Sequence, residues 1–426
     1  MVEWKEYKLG DICTIVGRIG FRGYTTEDLT SSPADGAITL SPTNIVAGEI
    51  DLSKPTYIKW PKYYESPEIM LEQDDIVLVK TGSSIGRTTR IREISHPMTL
   101  NPQFVVLKQI KINNAFLSYV IKSPYFQALL KSITVGSAIP TLSQKNLSKL
   151  VVKIPDEDTQ KRIARVLISL DDKIEVNRRI NDNLEQQAQA LFKSWFVDFE
   201  PFKDGEFVES ELGMIPQCMK LKYVSDIPHV LETGRRPKGG VGELSHGVPS
   251  VGAEHVKGIG NYDYSKTKYI TEEYASSLKT GKVNGYELLI YKDGGKPGYF
   301  IPNYSIYGEG YPFDDCYLNE HVFKLDFNDK GYNAFCYFYF KTDYVMNYLN
   351  AQGGKAAIPG INRQDIENIL VYSPENEFVQ KFGKIVLPYI RQILFNCKES
   401  RRLAELRDTL LPRLMTREIN VSDIKL

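Results

Sequence analysis

Over the first 155 positions, short runs of Val, Ile, Leu and Tyr are broken by Gly, Pro, Asn and Ser, a pattern that predicts strands joined by turns. A helix is expected near 114–131. After Pro155 the period changes. Positions 163, 167, 170, 174, 177, 181, 184, 188, 191 and 195 lie on a 3.5-residue repeat, and eight of the ten are apolar, the exceptions being Asn177 and Asn181. This spacing predicts a long helix with a coiled-coil seam.

The arrangement then recurs. The stretch "SAIPTLSQKNLSKLVVKIP" at 137–155 is answered by "AAIPGINRQDIENILVYSP" at 356–374, an offset of 219 that also relates "NAFLSYVIKSPYFQALL" (114–130) to "NAFCYFYFKTDYVMNYL" (333–349). Independent drift would not keep one offset, so the chain contains a duplication. "DIVLVKTGSSIG" (75–86) matches "ELLIYKDGGKPG" (287–298) and "LNPQFVVLK" (100–108) matches "LNEHVFKLD" (318–326) at slightly different offsets, which places insertions in loops. The seam template moved by 219 finds Phe382, Val386, Tyr389, Ile393, Leu403, Leu410 and Leu414, with Asn396, Ser400 and Arg407 as exceptions.

The expected fold is α+β, with two repeated globular domains joined by two long coiled-coil helices. The boundaries read as a first domain at 1–155, a central helix at 156–197, a linker at 198–215, a second domain at 216–374 and a distal helix at 375–418. The seam is assigned to Leu167, Leu170, Ile174, Asn177, Leu184 and Leu191 on one helix and Val386, Ile393, Asn396, Leu403 and Leu410 on the other. A helix of about 40 residues is about 60 Å long, more than a compact domain needs, and reads as a spacer. Asn177 and Asn396 occupy equivalent seam positions; in an antiparallel pair they would form buried polar layers that fix register at some cost in stability. Pro388 is expected to kink the distal helix.

Composition narrows the class. No run approaches eighteen apolar residues, and "MVEWKEYKLGDI" at the start lacks the basic and apolar regions of a signal peptide, so a soluble, cytoplasmic chain is expected. Five scattered cysteines show no metal-ligand spacing and read as reduced thiols, with no zinc site. Net charge is zero, but its distribution is uneven: residues 76–155 carry eleven Lys/Arg against one acid, Glu93, whereas residues 1–75 carry seven basic and thirteen acidic residues. Such asymmetry suits a surface that faces a polyanion.

Candidate contacts follow from that charge. "GRIGFRGY" (17–24) and "GRRPKGGVG" (234–242) are glycine-rich and basic. Glycine admits close backbone approach, and arginine takes guanine O6 and N7 in a bidentate fork, which nominates Arg18, Arg22, Arg235, Arg236 and Lys238 as DNA contacts. A solvated hairpin is the alternative. "KTGSSIGRT" (80–88) offers Lys80, Ser83, Ser84 and Arg87 to phosphates, and its counterpart offers Lys292 and Lys296, unless these loops are only tight structural turns. "NPQF" (101–104) is one residue away from an adenine-binding Asn-Pro-Pro-Phe, but its counterpart is "NEHV" and no glycine motif for a cofactor accompanies it. Pro155-Asp156 and Asp171-Asp172-Lys173 formally fit a nuclease pattern, yet they fall along one helix, where the carboxylates cannot converge on a metal.

"LFKSWFVDFEPF" (191–202), ending a heptad helix and followed by "ESELGMIPQ" (209–217), resembles the central region of specificity subunits of type I restriction–modification systems. The resemblance spans the chain. The segment that opens the helix in that family, "PxxEQxxI", stands here as "PDEDTQKRI" (155–163) and, more loosely, "PENEFVQKF" (374–382), and Gln217, Cys218 and Met219 replace the family's Gly-Trp after "LGxIP". The resemblance implies two target recognition domains whose helices pair antiparallel with pseudo-twofold symmetry. It implies a non-catalytic subunit that recognises an asymmetric bipartite target in double-stranded DNA. Two methyltransferase (modification) subunits would dock on it, and restriction and translocase subunits through them. S-adenosylmethionine is then expected in the partner subunits and no cofactor or metal in this chain. The alternatives are a stand-alone DNA adenine methyltransferase and a DNA-binding scaffold without a methylation partner.

Overall fold

The structure, a computed structural model, describes residues 3–20, 23–46, 48–135, 140–242, 244–294, 298–354, 359–421 and 424. Two compact units emerge: Met1–Asp172 with Leu403–Leu426, and Lys173–Arg402.

In the first unit, the strands Thr14–Val16, Phe104–Lys108, Ile76–Val79 and Thr88–Arg90 form an antiparallel sheet in that order, with Val106 opposite both Val16 and Val77. A second, mixed sheet runs Met98–Leu100, Gly36–Leu40, Tyr57–Lys59, Leu29–Thr30. Strands at both ends of the domain sequence, Lys5–Lys8 and Val151–Ile154, pair antiparallel, so the chain closes on itself before the long helix begins. Strands such as Ile76–Val79 are buried on both faces, which accounts for their unbroken apolar runs. The helix expected at 114–131 is two helices, Asn114–Lys122 and Pro124–Ser132. Pro124 lacks the N–H that continuation needs, and the Ser123 side chain accepts from the Phe126 N–H, so the second helix starts afresh.

The second unit repeats this order with different residues. Its antiparallel sheet runs Val230–Thr233, Val322–Asp326, Leu288–Tyr291, Tyr304–Ile306. Lys268–Ile270, Val248–Val251 and Tyr317–Leu318 make the mixed sheet, Leu221–Tyr223 and Leu370–Tyr372 the closing ladder, and Lys330–Tyr339 and Asp343–Gly353 the helix pair. Tyrosines of this unit mostly fill the core, Tyr307 and Tyr337 being almost wholly buried. The segment expected as a linker is folded: Phe207–Ser210 and Gly213–Pro216 form a hairpin, and Phe202 is buried on the ring of Phe378, 4.4 Å between centroids.

The long helices span Glu157–Phe196 and Glu377–Met415. The distal helix continues through Pro388, whose position is exposed. Pairing is antiparallel within each unit. In the second, Phe192 meets Phe382 (5.6 Å) while the Asn177 side chain reaches Glu399 and Ser400. In the first, Ile163 and Leu167 share a core cluster with Leu411 and Leu414, and the Asp171 carboxylate takes hydrogen bonds from Arg407 and Tyr119, each 2.6 Å. Among the assigned seam residues, Leu167, Asn177, Val386, Ile393 and Asn396 are buried, whereas Leu170, Ile174, Leu184, Leu191, Leu403 and Leu410 are only half-buried. Beyond Leu184 the buried positions become Ala188, Phe192 and Phe196, spaced by four. An undistorted helix with 3.6 residues per turn drifts off a strict heptad, and the aromatic domain core captures the drifting face.

Each domain is tied to its stretch of helix by charge. Arg92 bonds Asp172 at 2.5 Å in the first unit. In the second, Glu185 accepts from Lys341 (3.1 Å) and from the Tyr337 hydroxyl (3.3 Å). No helix among the described residues is long and apolar enough to cross a membrane.

Candidate nucleic-acid interface

The duplicated Ile-Pro motif closes a staple. In the first unit the Lys80 N–H donates to the Gln103 carbonyl (2.7 Å), the Gly82 N–H to the Pro140 carbonyl (3.1 Å) and the Leu142 N–H to the Lys80 carbonyl (2.8 Å). In the second, Lys292 donates to His321 (3.0 Å), Gly294 to Pro359 (2.9 Å) and Ile361 to Lys292 (2.8 Å). Three bonds are thus repeated one for one. They hold together the turn after Ile76–Val79 or Leu288–Tyr291, the Asn-x-x segment and the stretch that begins at Pro140 or Pro359. The repeated asparagine sets the middle piece: Asn101 and Asn319 each accept the N–H two residues on, from Gln103 and His321, at 2.9 Å.

That contact also fixes the role of "NPQF". Asn101 is buried and its amide is spent within the turn, its Nδ2 donating to the Gln103 side chain at 3.1 Å, so it is a turn residue and not an adenine ligand. Asp156 likewise caps the central helix, accepting from the Thr159 N–H at 2.9 Å, about 22 Å along the helix from Asp171 at 1.5 Å per residue.

The basic loops divide by environment. Arg18 is 8% exposed, lies over the Tyr24 ring and donates to Ser66 (3.2 Å) and to the Leu100 carbonyl (3.1 Å). Burial lowers its pKa, opposed by Tyr24 and neighbouring carboxylates. It is a core cation and does not stand in a solvated loop. Arg22 and Lys296 lie outside the described residues. Arg235, Arg236 and Lys238 are exposed, and Arg236 forms an ion pair with Glu320. Gly234 lets this loop cross the neighbouring strand, because a Cβ there would stand 1.6 Å from the Leu318 carbonyl oxygen.

The lysines nominated for phosphates are partly built in. Lys80 is half-buried, and desolvation lowers its pKa; Lys292 donates to the Glu320 carbonyl (3.1 Å) and faces the Phe323 ring. Ser83 and Arg87 are exposed, Ser84 half-buried. Side chains that sequence reasoning missed sit in the same stapled segments: Gln103, exposed, and His321, half-exposed and held between the Asp293 and Glu320 carboxylates. Their signal was present in the alignment of "NPQF" with "NEHV", where a shared Asn frames an unlike third residue.

Residues 1–186 match the family model described as the type I restriction modification DNA specificity domain. The chain is 29% identical over 336 residues to the type I restriction enzyme MjaIX specificity subunit of Methanocaldococcus jannaschii, covering 77% of this chain and 74% of that one. It is 24% identical to the HindI specificity subunit of Haemophilus influenzae, over 98% of this chain and all of the relative. Among solved structures it is similar to the type I restriction–modification S subunit from M. genitalium, with a TM-score of 0.55 and 16% identity over 97% and 96% of the two chains, a likeness of fold.

Proposed function

We propose that the chain is a specificity subunit of a type I restriction–modification system, a non-catalytic subunit of such a complex, that it binds an asymmetric, bipartite target in double-stranded DNA, one half-site per unit, and that it docks two methyltransferase subunits on its helices. Restriction and translocase subunits would join through these. Adenine methylation with S-adenosylmethionine would then belong to the partners, where the base is flipped out of the stack, and the complex would act in the cytoplasm.

One observation carries this reading. The same three-bond staple frames unlike side chains in the two units, Gln103, Thr81 and Arg87 in one and His321, Asp293 and Tyr299 in the other. A common frame keeps the approach to DNA alike, and divergent side chains meet different base edges, so the two half-sites should differ. Loops on a rigid scaffold are where such specificity is expected.

The test is affinity of the assembled methyltransferase for duplexes altered in one half-site at a time. Replacing Arg235 by Ala should cost about 1–3 kcal/mol of discrimination at the second half-site and none at the first, the worth of one bidentate base contact. An equal loss of affinity on cognate and altered duplexes would make Arg235 a phosphate contact, and base reading by this loop would be abandoned.

A further inference from the structure

The two units differ in charge over corresponding segments of sequence. From the central strand to the end of the duplicated motif, residues 76–155 hold eleven basic side chains against one acidic, whereas their counterparts at 288–374 hold seven against ten. Within the first unit, Arg87, Lys131 and Lys145 are exposed and make no ion pair among the described residues. The segments that carry them are bonded together: Gln127 donates to the Gly86 carbonyl (3.1 Å), the Val135 N–H to Thr141 (3.0 Å) and the Leu142 N–H to Lys80 (2.8 Å). The helix Gln144–Ser148, with Lys145 on it and Lys149 at its end, reads "QKNLSK" through that lysine.

The counterpart positions are uncharged. Tyr299 stands for Arg87, Asn350 for Lys131, Gln364 for Lys145 and Asn368 for Lys149. The counterpart helix, Arg363–Glu367, has gained Asp365 and Glu367, and its one cation, Arg363, bonds Glu367 at 2.7 Å. Lys292 faces Asp293 at 3.7 Å, and Arg236 is paired with Glu320. Phosphate contacts drive the salt-dependent part of DNA affinity, and a cation already paired to a carboxylate releases fewer counterions on binding.

We propose that the phosphate grip is divided unequally: Lys131 and Lys145, with Arg87, hold the DNA backbone for the first unit, and the second binds its half-site largely through side chains that read bases. This rests on the DNA-binding reading above. Lysine ammonium groups suit such a task as mobile point charges that need no fixed geometry.

The experiment is the salt dependence of affinity of the full chain, assembled with its methyltransferase partner, for a mixed-sequence duplex. Each lost phosphate contact removes roughly 0.9 from the slope of log affinity against log salt, so Lys131→Gln with Lys145→Gln should lower it by about 1.8. Arg363→Gln should leave it within a few tenths. Both sets of side chains are surface groups, and unchanged circular dichroism would exclude misfolding as the cause. A slope unchanged by the double substitution, in a complex that binds DNA, would overturn the unequal grip while leaving the proposed function standing. So would an equal fall with Arg363→Gln. A wild-type complex that binds no duplex would remove the proposed function and this inference with it.

Discussion

Asn177 illustrates how much a single seam position decides. Its amide donates to Glu399 at 2.7 Å and to Ser400 at 3.2 Å, while Asn396 donates to Asn181 at 2.8 Å, so polar groups of both helices bond one another across the pairing in the second unit. The hydrogen bond from Asn177, helped by Lys173 and opposed by desolvation, holds the Glu399 carboxyl below its ordinary value of 4.5. A carboxylate depressed in the folded state contributes stability above its unfolded pKa and loses it as pH falls through the folded one. Wild type should therefore exceed Glu399→Gln in thermal stability at neutral pH, with the gap closing below about pH 4.5; a gap independent of pH would remove Glu399 from the layer. Both asparagines were legible in the sequence as breaks in an apolar repeat. The burial of Arg18 was not, because a glycine-rich basic loop reads the same whether its arginine faces solvent or, as here, Ser66 and the Leu100 carbonyl across the fold.

The two long helices behave less as a free coiled coil than as walls of the domain cores. Phe192 touches Phe196, Phe335, Phe338 and Phe382, within 5.2–6.3 Å between ring centroids. Leu184, a heptad position, is only partly buried. Phe192→Ala should cost about 3–5 kcal/mol, the range for emptying an aromatic core site. Leu184→Asp should cost less, since water reaches the new carboxylate. Denaturant midpoints of the second unit's transition measure both, and a larger loss at Leu184 would restore the heptad seam as the dominant contact. The positions of both helices could be read from period alone, and their buried face near 188–196 could not. Periodicity gives a helix its stripe, but the domain that packs on it decides which residues of that stripe are covered. The hairpin at 207–216 escaped for a related reason: its strands are four residues each, too short to separate from a linker.

At the scale of the whole chain, the duplication is the most informative feature, and it was legible because one offset survived across the motif and the helix pair before it. The staple that each copy builds shows only in the hydrogen bonds of Pro140, Leu142, Pro359 and Ile361, since a link between segments about sixty residues apart leaves no local pattern. The central claim is that one chain directs methylation to a target of two unlike halves. Mapping methylated adenines across the genome of a host that expresses this chain with its methyltransferase tests it most directly. The account predicts one bipartite motif with an unread spacer, and a substitution confined to Arg235 and Lys238 should change only one half of it. A contiguous motif, or methyl transfer by the purified chain without a partner, would contradict the account.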